Sequence, residues 1–136
     1  MKITIEATVK APLVTVWESW TTPADIMAWN AASDDWHTTA STVDLREGGA
    51  FSSRMEAKDG SFGFDFHGTY TRVEPMTLIE AMMLDDRALL VEFSQVDGGV
   101  LVRETFDAED QNPIEMQRAG WQAILDNFKR HTEAKA

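Results

Sequence analysis

Two histidines have carboxylates beside them in the sequence, a pairing that serves acid–base chemistry and metal binding. His37 follows Asp34 and Asp35, and His67 follows Asp65. A carboxylate next to an imidazole fixes its tautomer and raises its basicity. Three histidines among 23 acidic residues meet carboxylates by chance, however. We therefore favour surface roles for these histidines over a catalytic or metal site.

The remaining patterns that carry chemistry are missing. The chain shows no Ser-His-Asp order, no zinc-ligand spacing and no dinucleotide-binding loop, and it contains no Cys. The turn "REGG" at residues 46–49 lacks the Lys-Ser/Thr of phosphate-binding loops and lies between predicted strands. We predict no catalytic residue, no metal and no cofactor, although an enzyme that uses a cavity His or carboxylate stays open as a third hypothesis.

An aromatic row stands out in "SFGFDFHGTY", residues 61–70. Phe62, Phe64, Phe66 and Tyr70 share one parity with Gly68. Side chains alternate between the faces of a strand, so these rings point to one side, which we expect to be the inner one. They can pack as a solid core, which is the default for any single ring, or they can line a pocket for an apolar guest.

Composition limits the classes of partner. The chain has 136 residues, 43% of them hydrophobic, which suits one domain over residues 1–136. The net charge of −11 repels phosphate backbones and anionic membrane surfaces, so nucleic acid is a poor candidate partner. No stretch is apolar enough to insert into a membrane, and the N-terminus alternates like a strand instead of a signal peptide. We expect a cytoplasmic protein.

The pattern of apolar residues predicts how these side chains are positioned. Alternation predicts a first strand over residues 2–9, and helical spacing then predicts two short helices in tandem, broken at Thr22-Pro23. A meander of six strands follows from residue 36 to about residue 109. Within it, Asp59-Gly60 is typical of a two-residue hairpin turn in which both residues have a positive φ.

The C-terminal segment changes to helical periodicity from Pro113 to about Thr132. One stripe of this helix carries Ile114, Gln117, Trp121, Ile124, Leu125 and Phe128. A helix of about 20 residues spans on the order of 30 Å, enough to cover the buried face of the sheet. Gln117 is a polar amide on this apolar stripe, so it needs water in a hydrated cavity or a bond to a strand side chain.

This order of elements resembles a known fold family. Four segments carry the resemblance: "PLVTVWESWTTPADIMAWN" after the first strand, "DLREGGAF" before the third, "FHGTYTRVEP" at the end of the fourth and "GWQAIL" in the last helix. The chain is identified as a member of the family of activators of heat-shock-protein ATPase homologues (AHSA-type), in the START-like or birch-allergen-like helix-grip superfamily.

The resemblance implies an α+β helix-grip fold. It has a curved antiparallel sheet of about seven strands, two short helices after the first strand and a long C-terminal helix on the concave face. Members of the superfamily commonly enclose a cavity between helix and sheet, and related branches bind lipids, sterols, polyketides or hormones. The resemblance thus implies binding of an apolar or amphipathic small molecule in such a cavity.

Parity and position together give the residues expected to line that cavity, with Trp29 and His37 near its mouth. The full set is Trp29, His37, Phe51, Met55, Phe64, Phe66, Tyr70, Met82, Phe93, Gln117 and Trp121. The alternative is a protein-interaction or stress-response module, related to chaperone ATPase activators, whose interior is filled by its own side chains. A chaperone contact and a homodimer through a free strand edge also stay open.

Overall fold

Seven antiparallel strands form one curled sheet in the computed structural model, which describes all residues from Met1 to Ala136. The strands are β1 (Lys2–Val9), β2 (Trp36–Val43), β3 (Ala50–Ala57), β4 (Gly63–Glu74), β5 (Leu78–Met83), β6 (Ala88–Val96) and β7 (Gly99–Asp107). The helices are α1 (Leu13–Thr21), α2 (Pro23–Trp29) and α3 (Ile114–Lys135). The strand order is β1-β7-β6-β5-β4-β3-β2, which leaves β1 and β2 at the edges. The predicted α+β helix-grip fold is confirmed.

The hairpin between β3 and β4 differs in detail from its prediction. The two strands pair directly, as expected, but five residues, 58–62, connect them, and the Ala57 N–H donates to the Phe62 carbonyl. Only Gly60 in this turn has a positive φ, of 79°. Phe62 therefore precedes β4, and its side chain is 62% exposed instead of facing inward.

Burial along β4 increases toward the middle of the strand. Phe64 is exposed, Phe66 is half-buried, and Gly68 and Tyr70 are buried. A Cβ on Gly68 would lie 2.5 Å from the carbonyl oxygen of Met82 on the neighbouring strand. Glycine at this position therefore allows β5 to approach closely.

The long helix α3 lies nearest to one edge of the sheet. Its backbone packs closely against β1 and comes less close to the middle strands. Three of its side chains donate hydrogen bonds to alternate backbone carbonyls on the free edge of β1, which protects that edge from pairing with another chain. These bonds join Arg118 to Thr4 (3.1 Å), Gln122 to Glu6 (3.3 Å) and Lys129 to Thr8 (2.7 Å).

An aromatic cluster fills the interior under α1 and α2. The ring of Trp17 meets Phe93 edge-on at 5.3 Å between centroids. Phe128 of α3 contacts Trp20 at 4.9 Å and Trp29 at 5.0 Å. Edge-to-face contacts at these separations are the favoured geometry for aromatic pairs, so this part of the interior is a solid core.

Candidate ligand-binding cavity

A cavity of about 400 Å³ lies between the sheet and the first half of α3. Most of the side chains on its wall are hydrophobic, and the volume lies within the range of about 300–1,000 Å³ that is typical of ligand sites. Phe64 lines the cavity and is 41% exposed, so the cavity reaches the surface beside it. Besides the residues discussed below, the wall includes Trp20, Ile26, Asn30, Ser41, Thr42, Val43, Ile79, Leu89, Val91 and Ile124.

The interior is open here because the residues opposite the helix are small and the helix is held away from them. Ala81 and Ser53 are buried on the wall, where a longer side chain would occupy the space. Trp121 of α3 stacks on Phe106 of β7, with ring centroids 3.8 Å apart and planes 11° apart. This stack lies at the β7 side of the sheet and leaves room in front of β3, β4 and β5.

Aromatic rings from two strands and the helix form much of the remaining wall. Phe51 lies 5.8 Å from Phe66 and 5.1 Å from Tyr70, measured between ring centroids. Phe66 meets Trp121 edge-on at 6.0 Å across the interior. The antiparallel register of β3 and β4 brings these rings to one face, since Phe51 pairs with Gly68, which has no side chain to separate them.

Many of the predicted site residues lie on the cavity wall. These are Trp29, Phe51, Met55, Phe64, Phe66, Tyr70, Gln117 and Trp121. The parity of β4 and the stripe of α3 were sufficient to place several of them on the same side. Whether these residues bind a ligand remains a prediction.

Two predicted residues on the later strands lie elsewhere. Met82 points to the outer face, because Ile79, Ala81 and Met83 are the buried residues of β5. Both parities of β5 carry apolar residues, so the sequence pattern did not separate its faces. Phe93 does point inward, but it lies under α1 against Trp17, in the solid part of the core.

Neither of the residues predicted at the cavity mouth lies there. Trp29 is buried, and its indole N–H donates to the backbone carbonyl of Ser19 at 2.9 Å, which anchors the ring. His37 is exposed and lines a separate, largely polar groove with Asp34 and Arg130. No group of three or more His, Cys, Asp or Glu side chains is arranged to hold a metal ion.

Gln117 has partners of a kind that the sequence did not suggest. Its amide oxygen accepts the backbone N–H of Glu109 at 2.9 Å. Its amide nitrogen donates to the backbone carbonyls of Glu109 at 3.0 Å and Asn112 at 2.8 Å. Gln117 therefore fixes the loop between β7 and α3 at one end of the cavity, and its amide is satisfied without cavity water or a strand side chain.

Glu104 is the cavity residue that the sequence prediction missed. It lies on the inner face of β7 with Val102 and Phe106 and is only 6% exposed. Its carboxyl group has no hydrogen bond or ion pair with the protein, and burial alone raises its pKa to about 8. The signal was present in "GVLVRETF", where a carboxylate interrupts an otherwise apolar parity, as Gln117 does in the helix.

The other titratable groups on the wall have weaker claims to a chemical role. Burial, followed by the negative charge of Asp44, raises the pKa of Tyr70 to about 12, so its hydroxyl keeps its proton at neutral pH. Arg87 is paired with Asp85 at 2.6 Å. Burial opposes ionisation of Glu109, but hydrogen bonds from the backbone N–H groups of the following loop outweigh burial and lower its pKa.

Comparison with known proteins places the chain in a family. The model of the AHSA1 family, described as "Activator of Hsp90 ATPase homolog 1-like protein", matches residues 10–133. The chain belongs to the AHSA1 family. The predicted resemblance is thereby confirmed. No curated protein matches the chain.

Solved structures, one of them of an AHSA1-like protein, share this fold. The solution structure of an AHSA1-like protein from Aeromonas hydrophila is 54% identical, with a TM-score of 0.93, over 99% of this chain and 94% of that one. Chr148 from Cytophaga hutchinsonii is 46% identical, with a TM-score of 0.85, over 98% and 93%. CV1439 from Chromobacterium violaceum shares the fold at 20% identity, with a TM-score of 0.87, over 98% of each chain.

None of the three helices is both long enough and apolar enough to cross a membrane.

Proposed function

We propose that this protein binds an apolar or amphipathic small molecule in the cavity between the sheet and α3. The observation that carries the proposal is the cavity itself, whose volume of about 400 Å³ exceeds the lower limit of about 300 Å³ for ligand sites. Its wall combines aromatic and aliphatic side chains, whose burial gives affinity, with a few polar groups, which orient a guest.

The chemistry of the wall also supports binding over catalysis. Glu104 and the Tyr70 hydroxyl lie on the wall, but no nucleophile with an adjacent base is found there. A buried carboxyl group and a phenol surrounded by apolar side chains are suited to recognising a ligand atom. The alternative of a protein-interaction module predicts a filled interior, so the open cavity favours the binding proposal over it.

A pair of adjacent substitutions tests the proposal. Ala81→Leu adds a side chain to the cavity wall, whereas Met82→Leu changes the next residue on the outer face of the same strand. Wild-type protein and both variants are screened by thermal shift against lipids, aromatic polyketides and hormones. We expect a saturable rise in melting temperature for wild type and Met82→Leu, because a ligand that binds only the folded state stabilises it.

We expect Ala81→Leu to keep a cooperative thermal transition without ligand and to lose most of the ligand-induced shift. Circular dichroism of the unliganded variants establishes that both are folded. If no compound shifts the wild-type transition, or if a hit shifts Ala81→Leu as much as Met82→Leu, binding in this cavity is excluded for the compounds tested.

A further inference from the structure

Glu104 is a buried acidic residue whose carboxyl group has no hydrogen-bond or ion-pair partner in the protein. Across the sheet it is paired with Ile5 of β1 and Val91 of β6, and along β7 its neighbours on the same face are Val102 and Phe106. None of these side chains donates or accepts a hydrogen bond. The residue is more than nine-tenths buried, and it lines the cavity.

An unpartnered buried carboxyl group reduces stability unless something in the cavity satisfies it. Leucine or valine at this position would continue the apolar face of β7 at no such cost. Packing therefore does not explain an acidic residue at this position. The side of Glu104 that the protein does not cover faces the cavity.

We propose that Glu104 is the polar anchor of the cavity and donates a hydrogen bond to the carbonyl oxygen of an uncharged, otherwise apolar guest. This inference rests on the proposed binding function and specifies the class of ligand. The apolar wall accounts for the body of the guest, and Glu104 accounts for one acceptor atom on it. Tyr70 lies on β4, which β5 and β6 separate from β7, and its hydroxyl is a second hydrogen-bonding group on the wall.

The protonation state of Glu104 selects a carbonyl over an anion. Because burial raises its pKa to about 8, the carboxyl group is mostly protonated at neutral pH and carries an O–H donor. A guest with a carboxylate would place a second charge in the same apolar interior, which is costly without a cation beside it. Arg87, the basic residue on the wall, is already paired with Asp85.

The proposal predicts that affinity depends on pH through Glu104. The other titratable groups on the wall are Tyr70 of β4, Arg87 before β6 and Glu109 after β7, while β1, β6 and the helices contribute no titratable side chain to it. With the pKa of Tyr70 at about 12 and that of Glu109 lowered, neither changes charge near pH 8. Above pH 8 Glu104 loses its donor proton, so a carbonyl guest should bind more weakly.

Three probes of similar shape test the anchor: diphenylmethane, benzophenone and benzhydrylamine. They differ at the carbon between the two phenyl rings, which carries only hydrogen in the first, a carbonyl oxygen in the second and an amino group in the third. Dissociation constants are measured by chemical-shift titration of isotope-labelled protein at pH 7 and pH 9.5. In Glu104→Leu we expect the preference for benzophenone over diphenylmethane to fall by roughly 3- to 10-fold, the net effect of one hydrogen bond.

Two further variants separate the anchor from structural effects. Glu104→Gln keeps an N–H donor of similar shape, so we expect it to retain the carbonyl preference and to lose the pH dependence. Glu92 lies beside Val91 but on the opposite face of β6, so Glu92→Leu is the control. It should leave the carbonyl preference of wild type and its pH dependence unchanged.

The outcomes distinguish this inference from the binding function on which it rests. If diphenylmethane and benzophenone both bind, but with the same ratio in wild type and Glu104→Leu, the binding function stands and the anchor is wrong. If benzhydrylamine binds best and this preference disappears in Glu104→Leu, Glu104 recognises cations and the carbonyl assignment is overturned. If none of the probes binds wild-type protein, the cavity does not accept guests of this size. Both the binding function and the anchor are then excluded for such guests.

Discussion

The two halves of α3 face different interiors, although they belong to one helix with one apolar stripe. The C-terminal half carries Leu125 and Phe128, which are both fully buried, and Phe128 packs against the aromatic side chains of α1 and α2. The N-terminal half carries Trp121 and Ile124, which are half-buried and border the cavity. The difference therefore arises from what lies opposite the helix and not from the helix itself.

This contrast separates stability from binding within one fold. The solid half joins α3 to α1 and α2 and holds the helix in place. The hollow half leaves apolar surface and one carboxyl group without protein partners. A rigid frame next to a cavity is the arrangement expected for a preformed ligand site.

The largest expected effect is on the solid half. Phe128→Ala should lower the free energy of unfolding by about 3–5 kcal/mol, because it leaves a cavity in a close-packed aromatic cluster. Ile124→Ala, one turn earlier, should cost only about 1 kcal/mol, because that side chain is half-buried and already borders open space. Urea unfolding measures both values. Equal losses for the two variants would contradict the division of α3 into a solid and a hollow half.

The next effect concerns Glu104 on the hollow side and its dependence on pH. The folded-state pKa of about 8 lies above the ordinary value of 4.5, so the folded protein binds the extra proton and the wild type loses stability as pH rises between these values. Glu104→Gln removes this loss. The free energy of unfolding of the variant, minus that of wild type, should therefore rise by on the order of 3 kcal/mol between pH 5 and pH 7.5.

Urea unfolding of both proteins at several pH values measures that gain. A Glu80→Gln variant, which changes a half-buried carboxylate of β5 in the same way, serves as the matched control. A difference between Glu104→Gln and wild type that stays constant from pH 5 to pH 7.5 would show that Glu104 has an ordinary pKa and lies in water.

The smallest effect tests the clamp that joins the end of α3 to α2. Asp25 accepts hydrogen bonds from His131 at 2.9 Å and Lys135 at 3.0 Å. Burial by itself raises the pKa of Asp25, but these partners outweigh burial and hold it below its ordinary value. The stabilisation is therefore present at neutral pH and lost as pH falls through the folded-state pKa.

Asp25→Asn should cost about 1 kcal/mol at pH 7, and its difference from wild type should shrink between about pH 5 and pH 3. The matched control is Asp110→Asn, at an exposed position in the loop before α3. Urea unfolding at pH 7 and pH 3.5 compares the three proteins. A cost for Asp25→Asn that is the same at both pH values would contradict the charge-dependent clamp.

The predictable part of the site followed from strong local patterns. The alternation in β4 placed Phe64, Phe66 and Tyr70 on one side, and the helical stripe placed Gln117 and Trp121 opposite them. Both patterns have a clear polar face and a clear apolar face. Assignment to a side therefore required no knowledge of tertiary contacts.

The wrong assignments had two physical causes. The face of Met82 was ambiguous, because both parities of β5 are apolar and only pairing with its neighbours fixes which set is buried. Phe93 faces inward as expected, but α1 covers it, and no local pattern indicates which part of an inner face a distant helix will cover.

The sequence by itself determined the elements and their order, because alternation, helical periodicity and turn residues act over a few neighbouring positions. Four of its segments also carried the resemblance to the family. Only the tertiary structure decided where the interior is solid and where it is open, since that depends on how closely α3 approaches each strand. It also decided that the carboxyl group of Glu104 has no partner. A hydrogen-bond partner can come from any part of the chain, and its absence becomes visible only when all parts are in place.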